Sequence, residues 1–154
     1  MEERLRQALE PHALIGLDTC VFIYHLESRP PYSELTIPLF QQIELGRPRA
    51  VTSVLSLMEI DVRPLALGKE AIADEYEILL SRFPNLNIRD VDRRIARQAA
   101  KLRAKYRLHP PDALQIATAL ETGASAFVTN DAALAKITAG ITVIILDHIL
   151  SADR

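Results

Sequence analysis

Residues 127–134 read FVTNDAAL. A short apolar run stops at Thr129, Asn130 and Asp131 follow, and the next residues read as helix. LIGLDTCVFIYHL, residues 14–26, repeats the arrangement, with Asp18 directly after an apolar run and a helical segment behind it. Strands that lead into helices are the repeating unit of a parallel sheet, because parallel neighbours need a crossover between them. The two stretches therefore predict an α/β fold with a carboxylate at two strand ends.

The rest of the chain keeps the alternation. Short aliphatic runs occur at ALIGL (13–17), RAVTS (49–53), LNIRDV (86–91), AFVT (126–129) and ITVIIL (141–146), which predicts about five strands. Between them lie segments with a period near 3.6. In residues 92–107, Ile95, Ala99, Leu102 and Tyr106 form one helical face. DALQIATALETG ends at Gly123, a natural residue just past a helix end. Pro30-Pro31 closes the first helical region, and Pro110-Pro111 opens a helix starting near Asp112. A parallel sheet of this kind is covered by helices on both faces. No repeat, linker or low-complexity tract interrupts residues 1–154, so a single domain is expected.

Composition narrows the function classes. The chain is 49% hydrophobic and 25% charged, which suits a packed core rather than a disordered chain. A formal net charge of −2 excludes general polyanion binding, so any contact with nucleic acid must rest on local charge. Cys20 is the only cysteine, which excludes an internal disulfide and suits a reducing compartment. The N-terminus MEERLRQALEP lacks the apolar core of a signal peptide, and no apolar run approaches the ~20 residues of a membrane span. A cytoplasmic location is expected. GxxxxGK[ST], GxGxxG and GxSxG motifs are absent, which removes three routes to phosphate or acyl chemistry.

In open parallel sheets, ligands bind outside the carboxyl ends of the strands. Asp18 and Asp131 both belong to that edge. Asp112 lies in the first turn of HPPDALQIATAL, and Glu59 lies in SVLSLMEIDV among Leu55, Leu57, Met58, Ile60 and Val62. Helix capping accounts for Asp18, Asp112 or Asp131 taken singly, and solvent exposure beside Asp61 accounts for Glu59. Four carboxylates at one edge repel unless neutralised. Hard divalent ions with oxygen ligands do this, and pairs of such ions activate water for phosphodiester hydrolysis. Zinc is disfavoured, because one Cys and His12, His25, His109 and His148 lack ligand spacing.

These four pieces in order, LDTCVFIY, SVLSLMEIDVRPL, HPPDALQIATAL and FVTNDAAL, resemble the PIN-domain nucleases, and most closely the VapC-type toxins of toxin–antitoxin pairs. The resemblance covers roughly residues 14 to 147. It implies an α/β/α sandwich around the parallel sheet, Mg²⁺- or Mn²⁺-dependent cleavage of RNA, a cognate antitoxin and a homodimer. It assigns Asp18, Glu59, Asp112 and Asp131 to the acidic metal site and Thr129 to a supporting hydroxyl. Thr19 orients Asp18, bonds phosphate or caps its helix. Cys20 departs from the polar residue often found after Asp-Thr, and it also replaces the second Asp that a haloacid-dehalogenase phosphatase would need. Phosphotransfer receivers expect an acidic pair at the first strand end, where only Asp18 stands.

Residues 89–109 carry eight Lys or Arg against two Asp. Arg93, Arg97, Lys101 and Lys105 recur every fourth residue and form a stripe leading toward Asp112. The stripe reads either as a track for an RNA backbone or as a solvated helix face. A metal-dependent endoribonuclease is the expected function, with a non-catalytic PIN-like module that binds RNA or protein as the alternative. A small-molecule phosphatase on the same sheet is a third reading.

Overall fold

The fold is that of a computed structural model, which describes residues 1–151. Its five strands are β1 (Leu14–Leu17), β2 (Arg49–Ser53), β3 (Leu86–Arg89), β4 (Ala126–Thr129) and β5 (Thr142–Ile145). All pair in parallel, in the order β3-β2-β1-β4-β5. The chain builds outward from β1 on one side, then crosses back and builds outward on the other. The reversal falls between β1 and β4, where Ile15 pairs with Ala126 and Leu17 with Val128.

The alternation of side chains explains why both faces are covered. Ile15, Leu17, Ala50, Ala126 and Val128 share a core with Phe22, Leu35 and Leu39 from α2 (Thr19–Leu26) and α3 (Ser33–Glu44). Val51 and Phe127 point the other way, into a core with residues of α6 (Arg93–Tyr106) and α7 (Pro110–Thr122). α1 (Glu2–Leu9), α4 (Val54–Ala66) and α5 (Glu70–Ser81) also pack on the first core, through Leu5, Leu9, Ile60 and Leu80. The result is the expected α/β/α sandwich. Among the described residues, no helix is long and apolar enough to cross a membrane.

Helix ends follow local chemistry. The predicted face of α6 is buried at Ile95, Ala99 and Leu102, with Tyr106 half-buried. Asp92 starts that helix by accepting the Ile95 N–H at 2.9 Å. α7 starts at Pro110, two residues before the expected Asp112, because a first-turn proline lacks only an N–H that has no helical partner there. Gly123 ends it at φ 89°. The segment after Asp131 is a 3-10 turn, Ala132–Lys136, rather than an α-helix. β5 begins at Thr142, which leaves little chain for a longer helix.

Gly16 is the point of closest approach between sheet and helix. A Cβ there would lie 2.6 Å from Ala119 Cβ and 2.8 Å from the Phe127 ring. Ala119 belongs to α7, so this contact sets how closely that helix lies on β1. Gly16→Ala is expected to destabilise the protein by about 1–3 kcal/mol, the usual cost of overpacking. Urea denaturation measures it, and an unchanged midpoint contradicts the close approach.

Candidate functional site

Asp18 leaves the carboxyl end of β1, and its backbone N–H donates to the Val128 carbonyl of β4 at 3.0 Å. It therefore stands at the sheet's topological switch point, where open α/β sheets bind ligands. Its side chain is fixed twice. Oδ1 accepts the Thr19 N–H at 2.8 Å, and Oδ2 accepts the Thr129 hydroxyl at 2.6 Å. Thr129 is fully buried at the end of β4, and its Oγ1 in turn accepts the Asp131 N–H at 3.1 Å. One hydroxyl thus ties the two strand-end acidic residues together. Asp131 is exposed, and its Oδ1 accepts the Ala133 N–H at 2.9 Å, which starts the 3-10 turn.

Glu59 and Asp112 face the same place from α4 and α7. Glu59 is half-buried and accepts the Thr19 hydroxyl at 3.1 Å. Its neighbour Asp61 looks elsewhere, toward Glu77 and Asp74 of α5. The apolar neighbours of Glu59 do not all enclose it, since Met58 and Val62 are exposed. Asp112 is half-buried in the first turn of α7.

Electrostatics join the four. Burial, followed by the charges of Asp112 and Glu59, pushes the Asp18 carboxyl up from its ordinary 3.8 to about 6, against the hydrogen bonds from Thr129 and Thr19. Burial and the charge of Asp131 raise Asp112, with His109 opposing. No ion pair among the described residues includes any of the four carboxylates. Among those residues, no three His, Cys, Asp or Glu side chains converge as a metal-ligating group. What links the carboxylates is pairwise charge, Glu59 and Asp112 acting on Asp18 and Asp131 acting on Asp112, a loose acidic ring. Cys20 contributes no charge there, because burial and the nearby Asp18 push its thiol up to about 12.

The sequence reading missed two features beside this ring. A buried polar group of Thr52, Ser53, Ser56 and Gln115 lies beneath it. The recurrence of Ser and Thr where β2 passes into α4 was the available signal. Tyr24 and Tyr32 stack at 4.2 Å on its rim, and the Asn130 amide donates to Tyr24 Oη at 3.3 Å. The basic stripe is exposed at Arg93, Arg97, Lys101 and Lys105. Off the stripe, Arg94 pairs with Glu121 at 3.6 Å and Arg103 donates to the Leu108 carbonyl at 3.1 Å.

A carboxyl whose pKa is raised by folding stabilises the fold below its unfolded pKa, and that contribution is lost as pH rises through the folded pKa. For Asp18 the window is pH 3.8 to about 6. In EDTA, Asp18→Asn is expected to gain stability relative to wild type across this window, by on the order of 2–3 kcal/mol at 1.36 kcal/mol per pKa unit. Denaturant melts at pH 4, 5, 6 and 7.5 measure it. A difference that stays flat with pH contradicts the enclosure of Asp18.

Comparison with known proteins agrees with this architecture. The PIN domain family profile matches residues 15–140. No curated protein sequence matches. Several solved structures are similar, among them three toxin–antitoxin complexes. A toxin–antitoxin complex from Klebsiella pneumoniae aligns with TM-score 0.64 at 25% identity, covering 87% of this chain and 97% of that one. VapBC2 from Rickettsia felis, bound to a DNA fragment from its promoter, aligns with TM-score 0.66 at 18% identity, covering 86% and 98%. DNA-bound VapBC from Salmonella typhimurium aligns with TM-score 0.64 at 22% identity, covering 86% and 97%. With a family match spanning most of its length and the sandwich that goes with it, this chain belongs to the PIN-domain family.

Proposed function

We propose that residues 1–154 form a single-domain, divalent-cation-dependent endoribonuclease that acts in the cytoplasm as the toxin of a toxin–antitoxin pair. The observation that carries the reading is the Asp18 carboxylate, enclosed at the switch point with the charges of Asp112 and Glu59 acting on it, Asp131 tied to it through Thr129, and, among the described residues, no ion pair to any of the four. An all-oxygen donor set of this kind fits Mg²⁺ or Mn²⁺, which take few carboxylates and complete their shells with water. Asp18, Glu59, Asp112 and Asp131 would hold the ion or ions. When bound, such an ion supplies charge stabilisation at the scissile phosphate and acidifies the attacking water.

The chain's own groups prepare that site. Thr129 and the Thr19 N–H keep both Asp18 oxygens in place. The Thr19 hydroxyl does the same for Glu59. Arg93, Arg97, Lys101 and Lys105 offer an exposed row of cations on α6, which packs beside the α7 that carries Asp112. We assign them to the RNA backbone. An antitoxin and a second copy of the chain are the proposed protein partners. Exposed Met58, Val62, Leu65 and Leu67 in and just after α4, with Ile78 and Leu79 of α5, supply an apolar surface suited to such contacts.

Single-stranded RNA is expected to be cut with added Mn²⁺ and left intact in EDTA. Asp18→Asn, Glu59→Gln, Asp112→Asn and Asp131→Asn should each slow cleavage by at least ~10²-fold, the scale of losing one preorganised electrostatic contact at a transition state. Asp61→Asn is the control, since its carboxylate faces α5. Equal losses from Asp61→Asn and Glu59→Gln would contradict the assignment. RNA bound but uncut in Mn²⁺ would return the chain to a non-catalytic binding module.

The stripe is tested through salt. Arg97→Ala combined with Lys101→Ala should weaken RNA binding across sequences and make the salt dependence shallower by roughly 0.7 per lost contact. An unchanged slope returns α6 to a solvated helix face.

A further inference from the structure

Gln115 lies on α7 three residues beyond Asp112 and is 2% exposed. Its Oε1 accepts the Ser53 hydroxyl at 2.9 Å. Its Nε2 donates to Ser56 Oγ at 2.8 Å and to Thr19 Oγ1 at 3.2 Å. One buried amide therefore joins α7 to the end of β2 and the starts of α4 and α2.

Counting protons fixes the direction of every bond. The Thr52 hydroxyl has one proton, and the Leu17 carbonyl accepts it at 2.9 Å. Ser56 Oγ lies 2.7 Å from Thr52 Oγ1, so Ser56 must supply the proton of that bond. With its proton committed, Ser56 can only accept from Gln115, which turns the NH₂ toward Ser56 and Thr19 and the amide oxygen toward Ser53. Ser53 accepts the Leu55 N–H at 3.2 Å and keeps its own proton for Gln115. Thr19 Oγ1 accepts from Gln115 and has one proton left. Ser56 Oγ and Glu59 Oε1 both stand at 3.1 Å, and a carboxylate is the stronger acceptor.

We infer that Gln115 is a positioning residue that fixes the Thr19 hydroxyl as a donor to Glu59 and so holds that carboxylate in the acidic ring. The inference rests on the proposed place of Glu59 in the site. The Gln115 amide is taken up by Ser53, Ser56 and Thr19. It acts through Thr19, as outer hydrogen-bond partners orient ligating carboxylates elsewhere.

The test has a metal-free arm and a metal arm. In the metal-free arm, the Glu59 side-chain carboxyl carbon is followed by NMR at fixed pH in wild type, Gln115→Met, Thr19→Val and Thr19→Ser. Its resonance is expected to move in the same direction in Gln115→Met and Thr19→Val and to stay near wild type in Thr19→Ser, which keeps the hydroxyl. In the metal arm, calorimetric titration with Mn²⁺ is expected to give about tenfold weaker binding for Gln115→Met and Thr19→Val. Their double mutant should lose no more than Thr19→Val alone, because both act on one link. A Glu59 resonance indifferent to Gln115→Met, or fully additive losses, overturns the proposal.

If Gln115→Met does not fold, wild type carries the test. The Thr19 hydroxyl proton is expected to exchange slowly and to lie close to the Gln115 amide protons. Exchange as fast as that of an exposed threonine overturns the inference. Absence of Mn²⁺ binding to wild type, with the Glu59 resonance still moving in the variants, removes the cation reading and upholds the positioning link.

Discussion

The enclosure of the Asp18 carboxylate at the β1–β4 junction is the constraint on which the site depends. Burial opposes its ionisation, and two hydrogen bonds hold it there regardless. Both depend on the sheet. Thr129 reaches Asp18 only because β4 pairs beside β1 in register, and the Asp18 N–H is itself tied to Val128. Gly16, which pairs with Phe127 in the same register, leaves room for Ala119, so α7 lies close on β1 and Gln115 reaches Thr19 at the strand end. A carboxylate retained in such surroundings, with other carboxylates nearby, is a local liability of the kind functional sites carry.

Much of this was legible in the sequence because strands and helices leave different periods. RAVTS and AFVT are strands with the expected bounds, and β1, β3 and β5 differ from their runs only at the ends, where pairing stops. Asp18 and Asp131 were readable as strand-end residues for the same reason. The character of α4 was less so. Its apolar residues suggest a helix sunk in the core, yet Ile60 and Pro64 face inward while Met58, Val62 and Leu65 face out. A helix apolar on two faces has no single stripe from which burial can be read. Glu59 was assigned to the site by its company, and the sequence did not show that its carboxylate accepts the Thr19 hydroxyl.

The buried polar group left no more than the recurrence of Ser and Thr after β2 as a trace in the sequence, and the reason is physical. Ser, Thr and Gln are ordinarily exposed, so Ser53, Ser56 and Gln115 look like surface residues in a string of letters. They are tolerable inside because each finds partners, and the partners come from segments distant in sequence, such as Ser53 and Gln115. A hydrogen-bond network assembled from three helices and a strand leaves no local period. The basic stripe is the converse case, fully legible on α6 yet touching nothing that would reveal its purpose.

Charge ties these parts into one account. Among the described residues no ion pair neutralises these carboxylates, so on the proposed reading a cation from solution does, and the fold must respond to it. Thermal melts at pH 7.5 in EDTA and in Mg²⁺ are the most direct measurement. For a dissociation constant of ~1 mM, ~10 mM Mg²⁺ should stabilise the wild type by roughly 1.4 kcal/mol through mass action. In Asp112→Asn the metal-free protein should melt at or above wild type, with the Mg²⁺ response largely gone. A wild type indifferent to Mg²⁺ and Mn²⁺, or a destabilised Asp112→Asn that keeps the full shift, would contradict the acidic ring as a cation site.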